Sequence, residues 1–306
     1  MNSKQSVAII LLNWNTYQDS YECLKSLESL TYTNFHVFLV DNGSTDGSLE
    51  KLMKDKESGK FHVELTFVQS ETNLGCPGGN NLGIKKAYEQ GYDFYWMLNT
   101  DTYVESNTLS TLVDAIRSDK EIGMVGSKIL YADTKFIWSA GGNLNPYKGT
   151  TTQIGIDEED YGQYDKVKEV TFLVGCSMLF SKELVDSIGF LEEDYFFLYE
   201  DTDYNLKAIK AGWKLVYVPS SIVYHKETAK KTDLSPYYAY YLIRNGYLMV
   251  SRLNNQYKWL AFLYLIIRII KFHKVFVLNR ANKLRRSKLI LKGAFHGLQN
   301  RTGQYI

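Results

Sequence analysis

Short apolar runs alternate with helical periodicities along the first hundred residues of the chain. This alternation is typical of an α/β sheet in which crossover helices join parallel strands. Tyr21, Leu24, Leu27 and Leu30 repeat at helical spacing, and a second helical pattern runs from about Asn81 to Glu89. The strands predicted in this part are Ser6–Leu12, His36–Val40, Val63–Val68 and Tyr92–Leu98.

The pattern is less regular from about residue 120 to 225 and becomes mostly helical from about residue 235. Because no Pro-, Gly- or Ser-rich linker separates residues 120–225 from the first part, we expect them to continue the same domain. The predicted strands lie near Gly123–Tyr131, Val167–Val174 and Lys214–Val218, and the predicted helices near Lys182–Ile188 and Thr202–Ala211. The sequence therefore predicts an α/β domain over residues 1–233 and a mostly helical C-terminal extension over residues 234–306.

Charge divides the chain at nearly the same place. Residues 234–306 carry 13 Lys and Arg and no Asp or Glu, whereas residues 1–233 carry the remaining 22 Lys and Arg against all 34 acids. The nearly neutral total of +1 hides this asymmetry. A basic extension on an acidic body predicts an anionic partner, either a nucleic acid or a membrane surface.

Cysteine spacing and the N-terminal residues bear on the cellular compartment. Cys23, Cys76 and Cys176 stand far apart, without the paired spacing of a zinc site or the even number of a disulfide framework. The first apolar run, residues 7–12, has only the length of a strand and lacks the features of an export signal. The expectation is a reducing, cytoplasmic compartment.

Polar residues follow three of the predicted strands at their carboxyl ends. Asn13-Trp14-Asn15 follows the first strand, Asp41-Asn42-Gly43 the second, and Asn99-Thr100-Asp101-Thr102 the fourth. Any one of these could be an ordinary turn, but ligands of open parallel sheets bind outside the carboxyl ends of the strands. Together they predict one polar crevice.

Two segments have chemistry suited to a diphosphate or a sugar. Asp101 is a candidate ligand for Mg²⁺ or Mn²⁺, which favour oxygen ligands and commonly bind one or two carboxylates together with substrate phosphates. The segment Asn73–Asn81 is rich in Gly and Asn and precedes a predicted helix, so its backbone N–H groups could approach an anion or a sugar. It lacks the glycine spacing of the dinucleotide fingerprint.

Four motifs together resemble those of glycosyltransferase family 2, which has the GT-A fold. In chain order they are Val40–Ser48 (VDNGSTDGS), the glycine- and asparagine-rich motif Asn73–Gly83, Leu98–Thr102 (LNTDT) and Glu200–Asp203 (EDTD). The resemblance spans about residues 6 to 230. The residues of the four motifs are most similar to those of the bacterial rhamnosyltransferase-like branch. It implies a Rossmann-like, mixed and mostly parallel central sheet flanked by helices, with a nucleotide-binding half over about residues 1–102 and an acceptor half over about 103–233.

The resemblance also implies roles for residues of the first half. Trp14 and Asn13 would line the base pocket, and Asp41 would accept a hydrogen bond from the pyrimidine. The other residues expected along the donor are Gly75, Asn80, Asn81 and Asn99. The family's Asp-x-Asp element corresponds to Asn99-Thr100-Asp101, with Asn99 near the ribose and Asp101 on the metal. Asn replaces the first acid, which leaves one carboxylate in the element.

Inverting transfer needs a base that removes a proton from the acceptor hydroxyl. Glu200, Asp201 and Asp203 follow an aromatic run, and their spacing alone does not distinguish them; acids in the first turn of a helix also complement its dipole. The resemblance selects Asp201 as the base, with Glu200 and Asp203 as supporting or capping residues.

Five further residues take roles from the resemblance, each with a structural alternative. His225 is expected after a short loop that follows the strand Lys214–Val218, where it would reach the metal or the diphosphate. Gly175 and Cys176 would lie near the donor sugar and acceptor, or simply form a packed strand end. Arg244 and Asn245 match a family Arg-Asn pair that could hold an acceptor phosphate, or they lie on a solvated helix face.

The C-terminal extension contains an apolar segment, Trp259–Ile267, which Arg268, Lys271 and Lys274 follow before it reaches the length that spans a bilayer. Its aromatic and aliphatic residues mixed with cations predict a helix at an anionic membrane interface, and packing on the catalytic domain is the alternative. Nucleic-acid binding is not expected, because the cations share the helices with large aliphatic side chains.

These observations favour an inverting, Mn²⁺- or Mg²⁺-dependent glycosyltransferase. Its expected donor is a nucleotide sugar such as dTDP-L-rhamnose, and its expected acceptor a glycan or lipid-linked molecule of bacterial surface polysaccharide synthesis. We expect it at the cytoplasmic face of the cell membrane, with a homo-oligomer possible. The rivals are a nucleotidyltransferase of related architecture and a non-catalytic nucleotide-sugar-binding membrane subunit.

Overall fold

The computed structural model describes residues 5–227, 236–253, 256, 258–278 and 283–305. The predicted boundary between residues 233 and 234 lies outside these residues, so the division into a domain and an extension stays a prediction.

The described residues form strands and helices in the following order. The strands are β1 (Val7–Asn13), β2 (Phe35–Asn42), β3 (Leu65–Ser70), β4 (Phe94–Leu98), β5 (Thr102–Val104), β6 (Ile122–Tyr131), β7 (Ile137–Ser139), β8 (Gly142–Asn145), β9 (Thr150–Gln153), β10 (Lys168–Val170), β11 (Ser177–Ser181) and β12 (Lys214–His225). The helices are α1 (Tyr17–Leu27), α2 (Ser48–Glu57), α3 (Gly75–Glu89), α4 (Thr108–Arg117), α5 (Lys182–Ile188), α6 (Glu200–Lys210), α7 (Pro236–Arg252), α8 (Lys258–Leu278) and α9 (Lys283–Leu298).

One large mixed sheet organises the chain. Its main order is β10-β12-β6-β11-β4-β1-β2-β3, with β5 added to β12 and β7 to β6. The pairs β4–β1, β1–β2 and β2–β3 are parallel, as is β6–β12. This sheet flanked by helices confirms the predicted mixed, mostly parallel α/β class. Its strands run from β1 to β12 in the chain, whereas β8 and β9 pair in a separate two-stranded sheet.

Both faces of the sheet are covered, which explains why the central strands are apolar at consecutive positions. In β1, the side chains of Val7, Ile9 and Leu11 belong to the core on one face, with α1 and α4. Those of Ala8 and Ile10 belong to the core on the other face, with α3 and α5. The polar ends of β1, β2 and β4 are therefore held on buried, rigid strands.

The structure corrects several of the predicted elements. The strand expected over Val167–Val174 is only Lys168–Val170, and α3 begins at Gly75 instead of about Asn81. β12 continues through His225, so no loop separates that histidine from its strand. The antiparallel strand β11, which lies between β4 and β6, was missed. Its five residues, SMLFS, are too short to show a clear period.

The C-terminal helices α7, α8 and α9 pack together and against the rest of the chain. A third core joins Ile243 and Leu248 of α7, Leu265 of α8 and Ile290 of α9 to Tyr195. The mostly helical prediction for this part is confirmed for the described residues. No helix in the described ranges combines the length and apolarity needed to cross a bilayer.

Two of these helices also carry exposed apolar side chains, which we call the tail face. Its members are Trp259, Leu260, Phe262, Leu263, Ile266, Ile267 and Ile270 of α8 and Leu284, Leu291, Phe295 and Leu298 of α9. Trp259 and Phe262 line a groove together with Leu298, so the two helices share this surface at one end. Some apolar residues of the C-terminal helices thus pack in the core, and others are exposed at the surface.

Candidate functional site

The carboxyl ends of β1, β2 and β4 lie side by side, as the three polar strand ends predicted. Asn13 at the end of β1 pairs in register with Asp41 at the end of β2. The Asn13 side-chain amide donates to Asp41 Oδ1 at 2.8 Å and to Ser48 Oγ at 3.0 Å. Its oxygen accepts a hydrogen bond from Ser20 Oγ at 2.8 Å. Asn13 therefore fixes the geometry of this edge.

The residues at this edge differ in how much surface they offer a ligand. Trp14 is 51% exposed and Asn99 is exposed, so both can contact a donor. Asp41 is only 1% exposed, and its Oδ2 accepts the backbone N–H of Ser44 at 3.0 Å. In this conformation its carboxylate holds the 41–44 turn, and its role as the acceptor of a hydrogen bond from the base stays a prediction.

The glycine- and asparagine-rich segment forms the start of α3, and its first amides are already used. Asn42 Oδ1 accepts the N–H of Leu74 at 2.9 Å, and Asn73 Oδ1 accepts that of Gly75 at 2.8 Å. Cys76 N donates to Phe196 O at 2.6 Å. These three amides thus have partners within the protein, and the contact of this segment with an anion or a sugar stays a prediction.

Gly75 explains why the segment needs glycine. Its φ of +77° favours a residue without a Cβ, and an added Cβ would lie 2.2 Å from Phe196 O. The glycine thus allows the start of α3 to contact the loop before α6.

Asn80 and Asn81, expected along the donor, make internal contacts instead. Asn80 Nδ2 donates to Cys76 O at 2.9 Å. Asn81 is buried, donates to Leu191 O at 2.8 Å and accepts from Leu191 N at 3.0 Å. Asn81 joins α3 to the chain before α6, and the donor role of both asparagines stays a prediction.

Asp101 and His225 come together across the β5–β12 pair. His225 Nε2 lies 3.2 Å from Asp101 Oδ2. On the other side of the imidazole, Nδ1 lies 3.8 Å from Glu227 Oε2, and the Trp138 ring packs edge-on at 4.7 Å between centroids. Trp138 Nε1 donates to the same carboxylate oxygen at 3.0 Å. The sequence pattern gave no signal for either Trp138 or Glu227.

This pair fits two ligands of a divalent cation. Two ligand atoms at adjacent positions around an octahedral ion lie about 3 Å apart, as Asp101 Oδ2 and His225 Nε2 do. A histidine that binds metal through one nitrogen usually donates its other N–H to a carboxylate or carbonyl, and Glu227 lies on that side. Among the described residues, no three His, Cys, Asp or Glu side chains form a complete metal cluster. The remaining ligands would come from substrate phosphates and water.

A strained loop presents the acidic residues at the start of α6. Phe196, Leu198 and Tyr199 have φ values of +62°, +69° and +76°, in the left-handed region that side chains disfavour. Phe197 N donates to Tyr195 O at 2.7 Å, which closes a γ-turn around Phe196. Strain of this kind persists only where surrounding contacts fix the backbone, and it is concentrated at functional sites.

Arg244 and Asn245 of α7 supply those contacts. Asn245 Nδ2 lies 3.0, 2.7 and 2.8 Å from the carbonyl oxygens of Tyr195, Phe197 and Leu198. Arg244 Nη2 donates to Tyr195 O at 2.7 Å, and Nη1 donates to Gly303 O. Both residues are almost wholly buried, at 1% and 0% exposed, so a solvated helix face is wrong for them. Their acceptor role stays a prediction.

The Asp201 side chain accepts hydrogen bonds from the backbone of residues 175 and 202. Its Oδ2 accepts the N–H of Gly175 at 3.3 Å, and its Oδ1 accepts both the N–H of Thr202 at 2.6 Å and its hydroxyl at 3.2 Å. Asn205 donates to Asp201 O and to Leu173 O, which ties α6 to the segment before Gly175. Sequence reasoning missed Asn205.

Glu200 is held differently from its neighbour. Its Oε2 is buried and has no hydrogen-bond partner among the described residues. Burial and the adjacent Asp201 charge raise the pKa of Glu200 to about 7, and burial also raises the pKa of Asp201. Hydrogen bonds stabilise the Asp201 charge, so Glu200 is the residue that retains a proton near neutral pH.

Two further predicted site residues, Asp203 and Cys176, are buried in the protein. Asp203 is buried, accepts the Tyr195 hydroxyl at 3.2 Å and pairs with Lys207 at 2.9 Å. Cys176 is buried, and burial raises the pKa of its thiol well above the usual value. Its carbonyl accepts the N–H of Asn99 at 2.9 Å. Through Gly175 and Cys176, two backbone contacts connect the Asn99–Asp101 element to Asp201.

A family model and individual relatives match the chain. The model described as "Glycosyl transferase family 2" matches residues 6–189. The low-salt glycan biosynthesis hexosyltransferase Agl10 of Haloferax volcanii is 23% identical over 311 residues, covering 97% of this chain and 92% of the relative.

Solved structures of two other proteins share the fold. TarS 1–349 of S. aureus in complex with UDP-GlcNAc has a TM-score of 0.61 at 16% identity and covers 97% of this chain and 81% of its own. The mannosyltransferase PcManGT of Pyrobaculum calidifontis, in complex with GDP-Man and Mn²⁺, has a TM-score of 0.59 at 13% identity, with coverages of 97% and 88%. Neighbours of this kind have the GT-A fold.

Proposed function

Because the chain belongs to glycosyl transferase family 2, we propose that it transfers one sugar from a nucleotide-sugar donor to an acceptor hydroxyl, with inversion at the anomeric carbon. One observation carries the proposal. The hydrogen bonds Asn99 N to Cys176 O and Gly175 N to Asp201 Oδ2 connect the segment that contains Asp101 to the Asp201 carboxylate. A leaving diphosphate and an accepting base need this proximity.

In the proposed reaction, Asp201 takes the proton of the acceptor hydroxyl as the hydroxyl oxygen bonds to the anomeric carbon. The bond from that carbon to the diphosphate oxygen breaks on the opposite face, which inverts the configuration. Glu200 holds its proton, so only one negative charge lies at this position in the reacting state. Asp201 is the residue with hydrogen bonds that orient it for this role.

We propose Asp101 and His225 as the residues that hold Mn²⁺ or Mg²⁺. A divalent cation at this place would neutralise charge on the departing diphosphate. The two ligand atoms are 3.2 Å apart and the histidine is buried, so the pair is already arranged. PcManGT carries Mn²⁺ together with its donor, which supports the same chemistry here.

We propose that Trp14, which is 51% exposed, stacks on the donor base and that Asn99, which is exposed after β4, lies near the ribose. Because the residues of the four motifs are most similar to those of the rhamnosyltransferase-like branch, dTDP-L-rhamnose is the first donor to test. UDP-GlcNAc and GDP-Man, which are bound by TarS and PcManGT, belong in the same comparison.

We also propose that the protein works as a peripheral protein on the cytoplasmic face of the cell membrane, in polysaccharide synthesis. The tail face is apolar, and exposed cations such as Lys271, Lys274, Lys288 and Lys292 lie on the same two helices. Apolar residues with flanking Lys and Arg are the composition of interfacial helices on anionic lipid.

A donor screen tests the reaction class. The full chain is incubated with Mn²⁺ or Mg²⁺ and a panel of UDP-, dTDP- and GDP-sugars, and binding and slow donor hydrolysis are followed. One nucleotide sugar should bind best and release its nucleoside diphosphate. A preference for a nucleoside triphosphate, with release of pyrophosphate, would contradict the proposal and favour nucleotidyl transfer.

A further inference from the structure

A cavity of about 330 Å³ lies beside Asp201 and is lined from several parts of the chain. Thr151 and Gln153 of β9 contribute polar atoms, and Tyr199 and Tyr238 contribute aromatic rings. Arg268 of α8 completes the lining. The cavity therefore places the proposed base and a fixed cation around one volume of about the size needed for a sugar.

Contacts on the protein-facing side of α8 hold Arg268 in this lining. Its Nη1 donates to the Tyr199 hydroxyl at 3.1 Å, and its guanidinium lies 5.0 Å from the centroid of the Phe272 ring. Leu265, one turn earlier on the same side, is in the core. Arg268 is thus held by packing at a defined position, and a planar guanidinium can bind a phosphate through two N–H groups.

Arg244, which the sequence suggested for an acceptor phosphate, is less suitable. Its guanidinium donates to the carbonyls of Tyr195, Asp194 and Gly303 and is 1% exposed. Arg268 instead lines a cavity that also contains the Asp201 carboxylate. The cation available to an acceptor is therefore on α8.

The opposite side of α8 determines what kind of acceptor would fit. Leu263, Ile266, Ile267 and Ile270 are exposed there and belong to the tail face. A helix is about 10–12 Å across, so the cavity lies about that distance from the surface proposed to meet lipid. A phosphate ester of a lipid has its phosphate at this depth, between the hydrocarbon and the solvated headgroups.

We propose that this cavity is the acceptor subsite and that it binds a sugar carried on a lipid phosphate. The sugar hydroxyl lies at Asp201, the phosphate at Arg268, and the hydrocarbon chain follows α8 towards the tail face. This inference rests on the proposed function, since Asp201 acts as base only in sugar transfer. It adds the chemical class of the acceptor and a specificity residue.

The test uses short probes with the full-length protein, a nucleoside diphosphate and Mn²⁺. Hexyl phosphate, hexanol, hexanoate and inorganic phosphate are titrated by calorimetry into wild type, Arg268→Gln, Arg268→Lys and Lys54→Gln. Hexyl phosphate should bind best to wild type. Its affinity should fall about ten- to a hundredfold in Arg268→Gln, which corresponds to the loss of a charged hydrogen-bonded contact. It should fall less in Arg268→Lys, which keeps the charge and loses the planar fork.

Lys54→Gln is the control, because it removes one exposed cation of α2 that does not line the cavity. It should leave hexyl phosphate binding unchanged. Equal affinity in wild type and Arg268→Gln, or no binding to wild type, overturns the subsite. Equal binding of hexanoate overturns the phosphate, and equal binding of inorganic phosphate overturns the lipid chain. Donor binding and hydrolysis are measured on the same preparations. Their absence in wild type would contradict the proposed function itself, independently of the acceptor subsite.

Discussion

The side-chain amide of Asn245 lies 2.8 Å from the carbonyl oxygen of Leu198, a residue whose backbone has a φ of +69°. The same nitrogen lies 2.7 Å from Phe197 O. A residue from the C-terminal helices therefore holds the backbone that leads directly into Glu200 and Asp201. The left-handed conformation of a non-glycine residue costs about 1–3 kcal/mol, so the loop needs these contacts to keep its shape.

Replacing Asn245 with Ala should lower kcat about ten- to a hundredfold, because a base displaced by about 1 Å loses productive geometry. Donor affinity should fall less than kcat, because Trp14 and Asn99 are positioned by strand ends and only the Gly75 side of the donor site contacts this loop, at Phe196. Steady-state kinetics combined with donor titration separate the two effects.

Tyr240→Phe is the control for general loosening of the C-terminal helices. It removes the 2.7 Å contact between Tyr240 and His296 of α9 and leaves the loop contacts in place. It should lower the melting temperature with little loss of kcat. An equal loss of kcat in both variants would show that Asn245 acts only through overall stability.

Asp201→Asn keeps the shape of the side chain and removes the basic lone pair. Transfer should fall about a hundred- to ten-thousandfold, as is usual when a general base is lost, while donor affinity is retained. Asp203→Asn should instead mainly destabilise the fold, because Asp203 is buried between Tyr195 and Lys207. Near-normal turnover of Asp201→Asn would move the base to another residue.

The rate of transfer should rise with pH on the acid side, because Asp201 must be ionised to act as base and burial raises its pKa. Because Glu200 keeps its proton while Asp201 ionises, Glu200→Gln replaces one neutral side chain with another, so the acid limb should stay in place. The measurement is kcat/KM against pH for both proteins. A shift of the acid limb to lower pH in Glu200→Gln would show that Glu200 is charged while Asp201 titrates.

Asp101→Ala should weaken donor binding in the presence of Mn²⁺ or Mg²⁺, and His225→Ala should do so more mildly. A chelator should reproduce the first effect in wild type. Donor titrations with and without metal provide the comparison. Full transfer activity in the chelator would mean that side chains alone neutralise the leaving diphosphate.

Replacing Leu263, Ile267 and Ile270 with Ser should weaken binding to phosphatidylglycerol vesicles at every salt concentration, because apolar burial is not screened. Lys271→Gln with Lys274→Gln should weaken it mainly at low salt. Co-sedimentation with anionic and neutral vesicles measures both, and all these side chains are exposed, so the fold should survive. Equal sedimentation of all variants would remove the membrane role.

The strands of the first hundred residues could be predicted because their apolar runs are bounded by polar turn residues. Asn13, Asp41 and Asn99 were found for the same reason, since each marks the carboxyl end of a buried strand. The family resemblance predicted His225 near the metal, but the strand predicted from the pattern ended at Val218, before the histidine. The sequence predicted a short loop after Val218. In the structure, β12 instead continues through Pro219-Ser220-Ser221 with an irregular register against β6.

What the sequence did not show depends on contacts between distant residues. Asn245 and Leu198 are 47 positions apart and meet only because α7 packs beside the loop. Asn81 looks like a ligand-binding residue by its neighbours Gly78 and Gly79, yet its amide meets Leu191, 110 positions away. Side-chain partners of this kind leave no periodic signal, so a motif identifies the residues without identifying what they hold.

The contact between Arg244 and Gly303 has a consequence for the order in which the protein matures during synthesis. These residues are 59 positions apart, and a ribosome adding about 5–20 residues per second needs about 3–12 s to pass from one to the other. The strands through β12 emerge before either residue. The nascent chain can therefore assemble its sheet and bind a nucleotide before Arg244 and Asn245 hold the loop that precedes Asp201. Arrested chains that end before residue 244 should bind donor without transferring it, and the ability to transfer should appear only with the last helices.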